Sequence, residues 1–257
     1  MEPDVAQQHR LINENESLNV GSLASQYAQI AGVLAGFAFT GFAIFLTSDR
    51  PANAEAVAAS LFSAFAALVL TAILYALLSG EPSPHRRAIG ACVYGLPFGL
   101  AVITMFQTLA LMSAGAAGLG EAVDLGRFLV LAVGPPILMA RLTIAAGYLK
   151  SPTPSGRGAH AIGWVFFGLL IVGGVFMAAA RPEVPLELPH VLGVAGIGLI
   201  STVAVGLVSP WVSTRPFNYV PGRWFVVVFL VLSLLAIVLF MLTADAAVRA
   251  ASPGLPA

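Results

Sequence analysis

Residues 23–47 read LASQYAQIAGVLAGFAFTGFAIFLT, twenty-five positions without an Asp, Glu, Lys, Arg or His. As an α-helix this stretch is about 37 Å long at 1.5 Å per residue, against the roughly 30 Å hydrocarbon core of a bilayer. Pro51, just beyond Asp49 and Arg50, ends it. Comparable runs recur at residues 56–78, 88–112, 128–149, 161–180, 191–212 and 224–243. The expected fold class is therefore all-α: a polytopic transmembrane helix bundle of seven spans.

Composition points the same way. The chain is 58% hydrophobic and 9% charged, where soluble domains carry about 25% charged residues. Connections between the runs are short, and the longest polar piece is the N-terminal tail, residues 1–22, too small to fold alone. A short tail, residues 244–257, follows the last span. The acidic N-terminus and the length of the first apolar run argue against a cleaved secretory signal.

Charge and chemistry exclude several functions. Twelve basic and twelve acidic residues give no net charge, so nothing favours nucleic acid as a partner. Cys92 is the single cysteine, and no intrachain disulfide or cysteine-based metal site is available. His9, His85, His160 and His190 lie outside the spans or at their edges, which places no pair to ligate a buried haem. No span contains two carboxylates, and the last has no Lys for a retinal Schiff base. No catalytic residue, metal ligand or cofactor is expected, and an enzyme is the least favoured class.

Orientation follows from the basic residues of alternate loops. One side carries Arg10, Arg86, Arg87, Lys150, Arg157, Arg215 and Arg223; the other carries Arg50, Arg127, Arg181 and Arg249. Positive charge is retained inside, so the N-terminus is expected in the cytoplasm and the C-terminus outside, in a bacterial plasma membrane. Trp164, Trp211, Trp224, Tyr75 and Tyr148 fall at span ends on the Arg-rich side, as an interfacial belt would.

Within the spans, Arg141 is the charge that stands out. It precedes Lys150 by nine residues, about 13 Å along a helix and close to mid-bilayer. A guanidinium cannot shed its proton, and burying one at a helix centre costs about 2.5–3.5 kcal/mol on insertion scales. Two partners stand at a matching depth: Gln29, and the Val93 carbonyl that Pro97 deprives of its helical donor. Arg141 with Gln29 is the candidate binding pair for a small polar or anionic solute; a clamp between the third and fourth spans is the competing role.

Small residues repeat every four positions, at Ala28, Gly32, Gly36 and Thr40, at Ala91, Gly95 and Gly99, and at Gly198, Thr202 and Gly206. Such stripes let helices approach closely, within one bundle or across a homo-oligomer or membrane-protein contact. Pro97, Pro135 and Pro136 mark expected kinks.

The runs YAQIAGVLAGFAFTGFAIF (27–45) and LYALLSGE (74–81) resemble uncharacterised actinobacterial multi-pass integral membrane proteins. The resemblance covers the first two spans and implies a membrane bundle without implying an activity. Solute binding or translocation near Arg141 is the first expectation. An accessory or assembly subunit of a membrane complex is the second, and a membrane-embedded enzyme the third.

Overall fold

The computed structural model describes residues 5–47, 54–114, 120–147, 156–179 and 223–250. Their regular elements are all helices: α1 (Val5–Thr47), α2 (Ala54–Ser79), α3 (Pro84–Ala114), α4 (Gly120–Phe128), a π turn (Leu129–Val133), α5 (Gly134–Gly147), α6 (Gly156–Ala179) and α7 (Arg223–Ala250). Five stretches among these residues are long and apolar enough to cross a membrane: Ser22–Thr47, Val57–Ser79, Ile89–Ser113, Glu121–Ala145 and Trp224–Ala244. The run expected at 161–180 is a shorter apolar helix, Ala161–Met177. The run expected at 191–212, with Gly198 and Gly206, lies outside the described residues.

The outer surface is that of a membrane protein. Phe37, Leu77, Val172 and Phe176 are each more than 60% exposed, whereas the core holds Ser60, Thr71, Thr104, Gln107 and Thr143 at 2% exposure or less. Lipid supplies no drive to bury large apolar side chains, so packing and hydrogen bonds determine which residues face inward. Thr71, Thr104, Thr108 and Thr143 meet this demand locally, each hydroxyl donating to the carbonyl four residues earlier in its own helix.

Helix α3 is the centre of the bundle, touching α1, α2, α4, the π turn, α5 and α7. Of its apolar window 72% is buried, against 22% for that of α1. Its start is well specified. Ser83 accepts from the Arg86 amide at 3.3 Å as an N-cap, and Pro84 follows at the first helical position, where no donor is missed.

Glycines set the register between α3 and the antiparallel α4–α5 segment. Gly126 packs on Ala110, Gly134 on Ile103, Gly99 on Leu138 and Gly95 on Leu142. An added Cβ at Gly126 would lie 2.7 Å from the Ala110 Cβ and 3.1 Å from its Cα. From Ile103 to Gly95 each step of four along α3 is matched by four along α5, while the seven residues from Ala110 to Ile103 are matched by eight from Gly126 to Gly134, the extra residue falling where the π turn lies. Gly95 and Gly99 of the α3 stripe thus lie against α5, whereas Gly32 and Gly36 of the α1 stripe are exposed, with no atom of the described residues near the Cβ position.

The tandem prolines act through the backbone. The Gly134 amide donates to Leu129, five residues back, closing a π turn immediately before Pro135 and Pro136. The Leu131 carbonyl would receive from residue 135 in an α register and from residue 136 in a π register, and both lack an N–H. Gly174 of α6 sits directly against that carbonyl, which a side chain at this position would not allow. Pro97, by contrast, lies inside an α3 that continues as one helix from Pro84 to Ala114.

Candidate functional site

Three helices bring aromatic side chains to Arg141 of α5: Tyr27 from α1, Tyr75 from α2 and Phe98 from α3, with Tyr94 of α3 packed against Tyr75. Tyr94 and Phe98 are one turn apart on α3 and present to the same neighbour. Gly95 between them leaves room, since a Cβ there would lie 3.1 Å from Leu142 Cδ2 and 3.9 Å from Arg141 Cζ.

Two aromatic rings line the guanidinium. Its Cζ lies 4.1 Å from the Tyr27 ring centroid and 5.0 Å from that of Phe98, and these two rings meet each other edge-on with centroids 5.7 Å apart. Nη2 donates to the Tyr75 hydroxyl at 2.8 Å. Tyr27 stacks on Tyr75 with centroids 5.3 Å apart, and Tyr94 and Phe98 meet Tyr75 edge-on at 5.9 and 6.2 Å. Cation–π contacts with desolvated rings contribute about 1–2 kcal/mol each. Together with a charge-assisted hydrogen bond they offset much of the cost of desolvating the charge.

A guanidinium has five N–H donors in a planar fork. One goes to Tyr75, and among the described residues no carboxylate or carbonyl takes another from Arg141. The side chain is only half-buried. The remaining donors lie along the edges of the planar fork, the geometry that recognises a carboxylate or phosphate side-on.

The four residues lie at matching levels on one side of the bundle: Tyr27 is five residues past Ser22 on α1, Tyr75 four before Ser79 on α2, Tyr94 five past Ile89 on α3 and Arg141 four before Ala145 on α5.

Both expected partners are replaced. Gln29 is exposed on α1, and the residue of that helix that meets Arg141 is Tyr27, two positions earlier. The carbonyl opened by Pro97 does not receive the arginine, whose hydrogen bond goes to Tyr75. Tyr75 and Tyr94, 1% and 6% exposed, are core residues rather than a lipid-facing belt, while Trp164 and Trp224 are exposed as a belt residue should be. The signal that would have found the cluster is the common distance of Tyr27, Tyr75 and Tyr94 from span ends on one side.

The same face carries further basic residues. In the α2–α3 turn Arg87 Nε donates to the Glu81 carbonyl at 3.1 Å, and Arg86 lies 3.7 Å from the Glu81 carboxylate. At the opposite face Arg127, expected in a loop, is helical and 8% exposed, and donates to the Met177 carbonyl at 3.0 Å, tying α4 to α6. Cys92 is buried as a free thiol. No group of three His, Cys, Asp or Glu able to hold a metal is found among the described residues.

No protein-family model matches the sequence, and no curated protein or solved structure shows significant similarity to it.

Proposed function

We propose that this multi-pass membrane protein binds a small solute bearing a carboxylate or phosphate at Arg141, entering from the face where α2 ends and α3 begins. The observation that carries the reading is the state of the guanidinium: lined by the rings of Tyr27 and Phe98, anchored by Tyr75, and with no carboxylate or carbonyl among the described residues taking its remaining donors. A purely structural arginine at this depth would be expected to spend those donors on backbone carbonyls, as Arg127 does on Met177. Arg86 and Arg87 at the same face add to a potential that draws anions. The full bundle in this reading has seven spans, the apolar run 191–212 included, with the N-terminus cytoplasmic.

The test is thermal unfolding of the purified protein in detergent against a panel of small carboxylates and phosphates, with Arg141→Lys and Arg141→Gln alongside. Stabilisation of the wild type that Arg141→Lys weakens and Arg141→Gln abolishes supports the site. Equal stabilisation of all three removes Arg141 from recognition. Uptake of the stabilising solute into liposomes then separates translocation from binding.

A second reading, an accessory subunit or homo-oligomer, is supported by a different observation. The Gly32 and Gly36 stripe on α1 is exposed and meets no neighbouring atom, as a helix–helix contact with another chain requires. Its test is size and cross-linking in native membranes, where Gly36→Leu should dissolve any such assembly.

A further inference from the structure

A second polar site lies at the end of the bundle away from Arg141. The apolar core is divided there. A small cluster of Phe45, Val57, Leu61, Ala110, Leu111 and Val123 is separate from the main cluster, whose nearest members on α2, α3 and the π turn are Ala67, Ile103 and Val130. Between them the buried residues are polar or small: Ser63 and Ala64 on α2, Thr104, Gln107 and Thr108 on α3, and Gly126 and Arg127 on α4. Ser60, beside Leu61, borders the same gap.

Two members of this layer have no hydrogen-bond partner among the described residues. Gln107 is fully buried, yet neither its Oε1 nor its Nε2 is hydrogen-bonded, and the buried Ser60 Oγ is likewise unpartnered. Register brings them to one level. Leu78 packs on Gly90, and eighteen residues along each antiparallel helix Ser60 stands opposite Thr108, the neighbour of Gln107.

We propose that this layer is a buried water site, in which ordered water joins the Gln107 amide and the Ser60 hydroxyl. An unmet buried amide or hydroxyl costs about 1–3 kcal/mol. A dry gap holding both would therefore be a heavy penalty in a bundle that lipid cannot solvate. Water is the occupant that fits. The layer offers both donors and acceptors, and a buried water needs two to four polar partners. Arg127 disfavours a bound cation, and none of these groups is a carboxylate.

Gln107→Met separates a wet layer from a dry one by sign. If the amide is hydrated, removing it strands the water and Ser60, and the unfolding temperature in detergent falls by about 2–4 °C. If the amide is dry and unmet, the apolar replacement relieves its penalty, and an unchanged or raised unfolding temperature overturns the proposal. A measurement on the unaltered protein does not depend on that variant folding: in lipid bilayers, with 15N-labelled Gln, magnetisation should pass from water to one side-chain amide shielded from a lipid-soluble paramagnetic probe and from an aqueous one. Absence of such transfer to a shielded amide overturns the proposal equally.

Discussion

Arg141 lies with its guanidinium carbon 4.1 Å above the ring of Tyr27 and its Nη2 donating to the hydroxyl of Tyr75, so two tyrosines on neighbouring helices hold one cation by different parts of the same side chain. Tyr27 uses its π face and Tyr75 its oxygen. The pair therefore responds oppositely to the mildest substitution. Tyr27→Phe keeps the face and should leave the unfolding temperature within a degree, whereas Tyr27→Leu removes it and costs about 1 kcal/mol. A loss on Tyr27→Phe equal to that on Tyr27→Leu would show that the hydroxyl, not the ring, is what α1 contributes.

Tyr75→Phe deletes the acceptor while the ring contacts to Tyr27, Tyr94 and Phe98 stay. Hydrogen bonds to charged groups are worth about 1.5–3 kcal/mol, and partial exposure of Arg141 places the expected loss near the lower end. Since the freed Nη2 donor remains on the edge of the fork, the variant should bind the panel's anions at least as well as wild type. Weaker anion binding, measured by the same ligand-dependent unfolding, would instead make the Tyr75 hydroxyl part of the recognition surface.

The helical bundle was legible in the sequence because hydropathy is a sum over neighbours in the chain, and residues 23–47 declare themselves without help from any other helix. The site was legible only in its centre. Arg141 stood out as a charge among apolar residues, but its partners were sought by chemical type. Gln29 was the nearest polar side chain in α1, yet two residues on a helix differ by about 200° around the axis, and Tyr27 turns inward where Gln29 turns out. The stripes show the same limit. Gly95 and Gly99 share their four-residue spacing with Gly32 and Gly36, but the first pair packs on Leu142 and Leu138 and the second on nothing. Spacing reveals a smooth helix face; which helix covers it is tertiary information. Gln107 was visible as a polar residue inside the 88–112 run, and its importance emerges only with its complete burial and its lack of a hydrogen-bond partner among the described residues.

Gly174 and Gly90 make a pair of controls for the close contacts. At Gly90 an added methyl would meet the flexible end of Leu78, while at Gly174 it would meet the carbonyl of Leu131 and, 3.1 Å away, the Cα of Ala132. Side chains can shift rotamer and backbone at a proline-braced turn cannot. Gly174→Ala is expected to lower stability by about 2–3 kcal/mol and Gly90→Ala by about 1 or less, read as unfolding temperatures in one detergent. The reverse order would mean that α6 is free to slide on the π turn.

Topology gives the last test, and the buried Cys92 makes it clean. As the only cysteine, it can be replaced by Ser or Ala, small residues suited to a close-packed helix, to give a background without thiols. Single cysteines at positions 10 and 249 then report the two ends of the chain. Seven spans require opposite sides: position 10 should react with a membrane-impermeant maleimide only after the cells are opened, and position 249 in intact cells. Labelling of both positions from the same side would require an even number of crossings. It would remove either the run at 191–212 or helix α6 from the set of spans. Because the Arg141 cluster lies near the end of α1 that follows the N-terminal segment, the same experiment decides from which compartment its anion arrives. Cytoplasmic labelling at position 10 places the open edge of the guanidinium toward the cytoplasm.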